Sequence, residues 1–348
     1  MTFLAMTLVS TRPDSGLSTT DRLRAVVDAA IRAERLGFDG FAVGERHERP
    51  FLSSAPPVLL SHLAAVTTRI RLFTAVTTLS LLDPVRAYED YATLDQLAAG
   101  RLDLIIGKGN GAAQARLFAV TPDDQWDRNR EGYELFRRLW REERVTWRGR
   151  YRPELVDAEV LPRPYQRPIR IWHGSATSRD SVELAARHGD PLFSANVTHP
   201  VEPYARLVDH YRERWAYHRH DPRDAVVGAG FAALHVARRS QQAIEQYRPV
   251  FAHRTAALAA AGVAPVFSSL EDAIARGSYL VGSPQQVIEQ VHRYHERLGH
   301  EVMHVPAEAD GLAEAAHRAS LDLFVDEVAP PLRAHIPSRP LADPGRAE

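Results

Sequence analysis

Two short runs in the chain combine residue types that hold an oxyanion. Gly107-Lys108-Gly109-Asn110-Gly111 joins flexible glycines, whose amides can approach an anion closely, to one ammonium that neutralises a phosphate. Gly174-Ser175-Ala176-Thr177-Ser178 puts three hydroxyl residues behind a glycine at an expected helix start, where free amides and the positive end of the dipole meet hydroxyl donors. The plain alternatives are a strand-to-loop turn with a solvated Lys for the first run and an ordinary Ser or Thr cap for the second, which accounts for only one of its hydroxyls. Two loops of this kind on one face would converge on a single phosphate.

Other chemistries are poorly served. With no cysteine there is no thiolate nucleophile, Cys-ligated zinc, iron–sulfur cluster or disulfide scaffold. The 16 histidines raise the question of a metal centre, but the first predicted strand carries no close His pair. His210, His218, His220, His292 and His295 fall on predicted exposed helices, so no metal site is expected. A net charge of -1 supplies no field that gathers polyanions, so neither nucleic acid nor an acidic membrane surface is an expected partner. Met1 to Ser10 has no basic lead, and no stretch reaches the roughly 18 apolar residues of a membrane span, which reads as a cytoplasmic protein that acts on small molecules.

Short β-rich runs alternate with longer helical ones, the pattern of βα units around a parallel sheet. Expected strands are Phe3 to Val9, Gly40 to Val43, Ile70 to Thr77, Leu102 to Ile106, Ile169 to His173, Leu192 to Ser194, Val226 to Val236 and Glu301 to Val305. Helices separate them, and a small surface hairpin is expected around Arg148-Gly149-Arg150. Eight such units predict a (β/α)8 TIM barrel over residues 1–330, with a helical insertion at 240–277 near the C-terminal strands and a flexible, proline-rich tail at 331–348. The rival is a doubly wound open sheet, whose Gly-rich first turn is missing because Ser10 to Ser18 holds only Gly16. In a barrel the site lies at the carboxyl ends of the strands. That selects Glu45-Arg46-His47, Thr77-Thr78, the Lys108 loop, His173 with the Ser175 loop, and Asn196.

In order and spacing, the chain resembles the luciferase-like flavin monooxygenase superfamily. The resemblance rests on Leu36-Gly-Phe-Asp-Gly-Phe with Glu45-Arg-His, on Asp83-Pro-Val-Arg86 leading to Gly100-Arg-Leu-Asp-Leu and Gly107-Lys-Gly, on Glu183-Leu-Ala-Ala-Arg-His-Gly189 and on Val281-Gly-Ser-Pro-Gln-Gln-Val287. It implies reduced FMN and O2, with a flavin hydroperoxide that oxidises a small organic substrate, a flavin reductase as the supplier of reduced FMN, and a homodimer. It places Lys108 where a basic residue binds the FMN phosphate, Ser175 and Ser178 on other phosphate contacts, and Ala75 and Val76 at a non-prolyl cis peptide beneath the flavin ring; Gly109, Gly174, which stands where luciferase has an acidic residue, and Thr177 are also expected at the cofactor. His47, Asn110 and His173 fall near the reacting part of the flavin. Where luciferase has Glu-His-His this chain has Glu45-Arg46-His47, so the luciferase acid–base assignment does not transfer. The insertion corresponds to a mobile loop and is expected to act as a lid. Two further readings stay open on the same scaffold: a deazaflavin-dependent hydride-transferring oxidoreductase, and a flavin-binding protein without turnover.

Overall fold

The computed structural model describes residues 1–11, 16–109, 111–260, 262–339 and 341. The elements begin with β1 (Thr2–Thr7), α1 (Thr19–Leu36), β2 (Gly40–Val43), α2 (Pro56–Val66), β3 (Arg71–Thr74), β4 (Thr77–Thr78), α3 (Pro84–Leu97) and β5 (Leu102–Gly107). There follow α4 (Ala112–Leu117), α5 (Gln125–Arg141), β6 (Arg144–Trp147), β7 (Leu155–Glu159), β8 (Ile171–Ser175), α6 (Arg179–His188), β9 (Leu192–Ser194) and α7 (Val201–Tyr217). The last are β10 (Val227–Gly230), β11 (Ala233–Val236), α8 (Ser240–Ala260), α9 (Leu270–Arg276), β12 (Tyr279–Gly282), α10 (Pro284–Leu298), β13 (Val302–Pro306), α11 (Glu314–Leu323) and α12 (Ala329–His335). The parallel order β3-β2-β1-β13-β10-β9-β8-β5, with β5 pairing back to β3, is the closed eight-stranded ring of the expected (β/α)8 barrel. Every residue of β2 and β5 is buried, as in strands covered on both faces.

The chain divides into two compact units. One holds residues 7–34 and 40–174, with β2, β3, β5 and β8 as successive parallel neighbours in the registers Gly40↔Arg71, Leu72↔Leu102 and Ile105↔Trp172. Its α3 starts sharply because the Asp83 carboxylate accepts from the Val85 and Arg86 amides, at 2.9 and 3.2 Å, ahead of Pro84. The antiparallel pair β6–β7 is the expected hairpin. The other unit holds residues 1–6, 35–39 and 175–340, with the order β1-β13-β10-β9. Its α10 runs from a Ser283 cap to Gly299, whose φ of 59° ends the helix.

Several expectations change. The third strand is two pieces, because the cis Ala75–Val76 peptide interrupts it between β3 and β4. The strand expected over 226–236 is also two: after β10 the chain turns at Phe231-Ala232, and β11 pairs instead with β12 in a separate two-stranded parallel sheet. The insertion at 240–277 has a core of its own, since Ala243, Tyr247 and Val250 of α8 and Leu270 and Ala273 of α9 pack with Phe267 and Tyr279. Residues 331–335, expected in the flexible tail, belong to α12. Its two prolines sit in the first turn, where a missing N–H is tolerated, and Leu332 is fully buried.

Candidate functional site

The first unit carries a connected polar site at the carboxyl ends of its strands. Gly44, Gly107 and Gly174 stand at the ends of β2, β5 and β8 and close on the Ala75–Val76 peptide. A Cβ on Gly44 would meet the Ala75 carbonyl at 2.9 Å, and one on Gly107 or Gly174 would meet Val76 methyls at 3.0 and 2.7 Å. Only glycine lets these three strand ends pack so closely against that pair.

Beside this pair lies Glu45, buried on the loop after β2. One of its oxygens accepts the Thr78 amide at 3.1 Å, and the other meets His47 Nε2 at 3.1 Å. A carboxylate there accepts, so Nε2 carries the hydrogen and Nδ1 is left as the acceptor. The His47 ring also packs edge-to-face on Phe118, with centroids 4.7 Å apart. Thr77 donates to the Tyr91 hydroxyl at 2.8 Å, and burial, reinforced by the Glu45 charge, holds the Tyr91 phenol well above its ordinary range. Arg46 is turned aside, its guanidinium paired with Glu48 and placed 4.8 Å from the Phe51 ring centroid.

Lys108 follows β5, and its backbone is clamped: its carbonyl accepts from Ser80 Oγ and from Gln125 Nε2, each at 2.6 Å. Its ammonium reaches only neutral acceptors, the Gly109 carbonyl at 3.2 Å and Gln125 Oε1 at 3.5 Å. Among the described residues no carboxylate pairs with it. Gly109 has a φ of 75°, and a Cβ there would strike Gln114 and Thr78 at 2.7 Å, so this tight turn requires glycine. The residues therefore fit an anionic group such as a phosphate: a cation with no carboxylate partner among the described residues, on a fixed stem.

His173 is buried on β8 with its ring edge-on to Tyr133 of α5, at 4.7 Å between centroids. Strand alternation puts it on the face opposite Trp172 and Gly174, in the layer between sheet and helix, and so away from the face that meets Val76. Asn110 lies outside the described residues. In the second unit, Ser175 and Ser178 build the start of α6. Ser178 Oγ accepts the Ser181 amide at 3.3 Å, while Ser175 Oγ donates to the Ser178 carbonyl at 3.0 Å and accepts its amide at 3.2 Å. Thr177 is exposed. Both serine hydroxyls thus serve the helix start itself, and its first free amides are what remain for an anion.

The sequence reading missed Glu45 as the partner of His47, and Ser80 and Gln125 as the clamps on Lys108. A signal for the last was present: Lys108 is the only lysine in the chain, every other one of the 43 basic residues being arginine. Among the described residues no group of three or more His, Cys, Asp or Glu is placed to hold a metal, and no helix is long and apolar enough to cross a membrane.

The luciferase-like monooxygenase family model matches residues 1–301. Limonene 1,2-monooxygenase of Rhodococcus erythropolis is 26% identical over 308 residues, covering 85% of this chain and 78% of that protein. The F420-dependent glucose-6-phosphate dehydrogenase of Kineococcus radiotolerans is 35% identical over 173 residues, 47% of this chain and 50% of that protein. The chain spans about half the length of the first curated relatives it matches. Among solved structures, the oxygenating constituent of 3,6-diketocamphane monooxygenase of Pseudomonas putida, in complex with FMN, superposes with a TM-score of 0.79 at 20% identity, over 95% of this chain and 98% of that one.

Proposed function

The chain belongs to the luciferase-like monooxygenase family, and from that premise we propose that it is an FMN-dependent monooxygenase acting on a small organic substrate. The observation that carries the choice of cofactor is Lys108, a single clamped ammonium without a carboxylate partner among the described residues, at the end of a barrel strand. One cation suits one phosphate. The longer acidic tail of a deazaflavin asks for more, and Arg46, on the loop after β2, is already engaged by Glu48. Bound reduced FMN would supply the electrons for oxygen activation.

The chain's own part is positional. Lys108 neutralises the phosphate, with Gly109 allowing the close turn; in the other unit the start of α6, after Gly174, Ser175, Thr177 and Ser178, leaves free amides that suit an anion. The cis Ala75–Val76 pair, held in place by the three close-packed glycines, is the surface proposed for the flat ring. His47, with Nε2 tied to Glu45, presents Nδ1 as the proton acceptor near the reacting atoms. Reduced flavin would come from a separate reductase, and the working form would be a homodimer. Because α8 and α9 are anchored in a core, the proposed lid is confined to the exposed residues 256–260 and 262–266, where Leu258, Val263 and Val266 face solvent.

The test is oxygen uptake by purified protein with reduced FMN and a panel of small apolar substrates. Substrate-dependent uptake with FMN supports the reading. Hydride transfer to a deazaflavin with no oxygen uptake would replace it with the dehydrogenase reading.

A further inference from the structure

Behind the Lys108 loop the first unit forms a half-open pocket of about 160 Å³ that none of the residues named above for the flavin lines. It lies between the loop after β4, helix α5 and the β6–β7 hairpin. One side is apolar, made by Leu79, Phe118, Val120 and Leu135; the hairpin side carries Trp147 and Arg152. Two contacts join it to the site already described: Phe118 packs on the His47 ring, and Ser80, on the cavity wall, holds the Lys108 carbonyl.

The polar side has a specific imbalance. Each of its charged side chains has a partner. Arg152 Nε donates to Asp83 at 3.1 Å, Arg128 Nε donates to Asp124 at 2.7 Å, and Glu131 accepts the Arg150 and Tyr151 amides at 2.8 and 3.0 Å. Two buried donors are not matched: Arg152 Nη1 and Trp147 Nε1 have no acceptor among the described residues. A buried donor without an acceptor carries a desolvation penalty that a ligand oxygen would remove. Because Asp83 already balances Arg152, the oxygen that suits these donors is neutral, and a carbonyl, with two lone pairs, has the capacity to accept from two of them. For size, an apolar cavity of about 150 Å³ is known to take up benzene.

We propose that this cavity binds a neutral carbonyl compound built on a single ring, with its oxygen on Trp147 Nε1 and Arg152 Nη1 and its ring against Leu79, Phe118 and Leu135. That the bound molecule is the substrate rests on the oxygenase reading; that the cavity binds it does not.

The experiment is a calorimetric titration of the flavin-free full-length chain with acetophenone, ethylbenzene and benzoate, which share a ring and differ in acceptor and charge. Acetophenone binds saturably with a dissociation constant on the order of 1 mM, and the other two bind about tenfold more weakly. Trp147→Phe weakens acetophenone about tenfold and leaves ethylbenzene unchanged. Gly132 lines the cavity, and its Cβ would meet only the Leu79 carbonyl, at 3.5 Å, so Gly132→Leu fills the space from a helix that tolerates the side chain. That variant abolishes binding of all three ligands while FMN affinity stays at the parent value. Benzoate binding as tightly as acetophenone, an unchanged acetophenone affinity in either variant, or no saturation below about 10 mM overturns the proposal. If acetophenone binds as described and FMN does not bind at all, the cavity assignment stands and the oxygenase reading falls.

Discussion

Replacing Lys108 by Met removes one charge and keeps the aliphatic stem, so the loss it causes can be worked out. The clamps from Ser80 and Gln125 act on the Lys108 carbonyl, not its side chain, and persist in the variant. The ammonium gives up only long contacts to neutral oxygens at 3.2 and 3.5 Å, which contribute little to the fold. Against a phosphate the same ammonium makes a charge-assisted hydrogen bond worth about 1.5–3 kcal/mol, or roughly tenfold to a hundredfold in affinity. Lys108→Met therefore weakens FMN by about that factor and leaves riboflavin, which has the ring and no phosphate, unchanged. Fluorescence titration of both flavins on both proteins is the assay. Equal losses for the two flavins, or no loss for FMN, refute the reasoning. Because this is the only lysine, amine labelling located by peptide mapping, which separates it from the Met1 α-amine, reads the same site directly: FMN protects Lys108 from labelling and riboflavin does not.

Glu45→Gln keeps an acceptor for the Thr78 amide but sets an amide N–H against His47 Nε2, which turns the imidazole to the other tautomer. It lowers kcat by at least about tenfold with FMN affinity unchanged; a normal kcat removes His47 from the chemistry. Gly174→Ala brings a methyl to 2.7 Å from Val76, and denaturant unfolding registers a loss of about 1–3 kcal/mol. His304, fully buried on β13 and stacked on Phe193, is lowered to about 4 by burial, against about 6.5 in an unfolded chain. Between those values the unfolded chain takes a proton that the native ring refuses, so stability present above pH 6.5 is lost as the pH falls through that window. The loss reaches about 3 kcal/mol at pH 4. His304→Asn removes this dependence, and parent and variant with parallel stability profiles between pH 7 and 4 contradict it.

The barrel was legible because several βα units carry their own punctuation: Asp83-Pro84, Ser178 and Ser283 as caps, and Gly189 and Gly299 as stops. What escaped is what periodicity does not encode. The β-rich run over 226–236 has the composition of one strand, yet it leaves the barrel sheet at Phe231 because a short strand 40 or more residues later offers β11 a partner. The α12 prolines read as a breaker, although at a helix start they are tolerated. At the site, the loop residues were found by their place after strands, whereas their holders, Glu45 with His47 and Gln125 with Lys108, depend on distances that only the folded chain supplies. His173 shows the reverse: its position after a strand suggested the site, and strand alternation sent its ring to Tyr133.

The most direct test of the central claim is the reaction of reduced FMN with oxygen in a stopped-flow instrument, with and without saturating protein and no substrate. If the chain shelters a reacting flavin, the absorbance of oxidised FMN returns well behind the free-solution reaction, and Lys108→Met restores much of the free rate. Return at the free rate, with FMN shown by titration to be bound, contradicts the monooxygenase assignment.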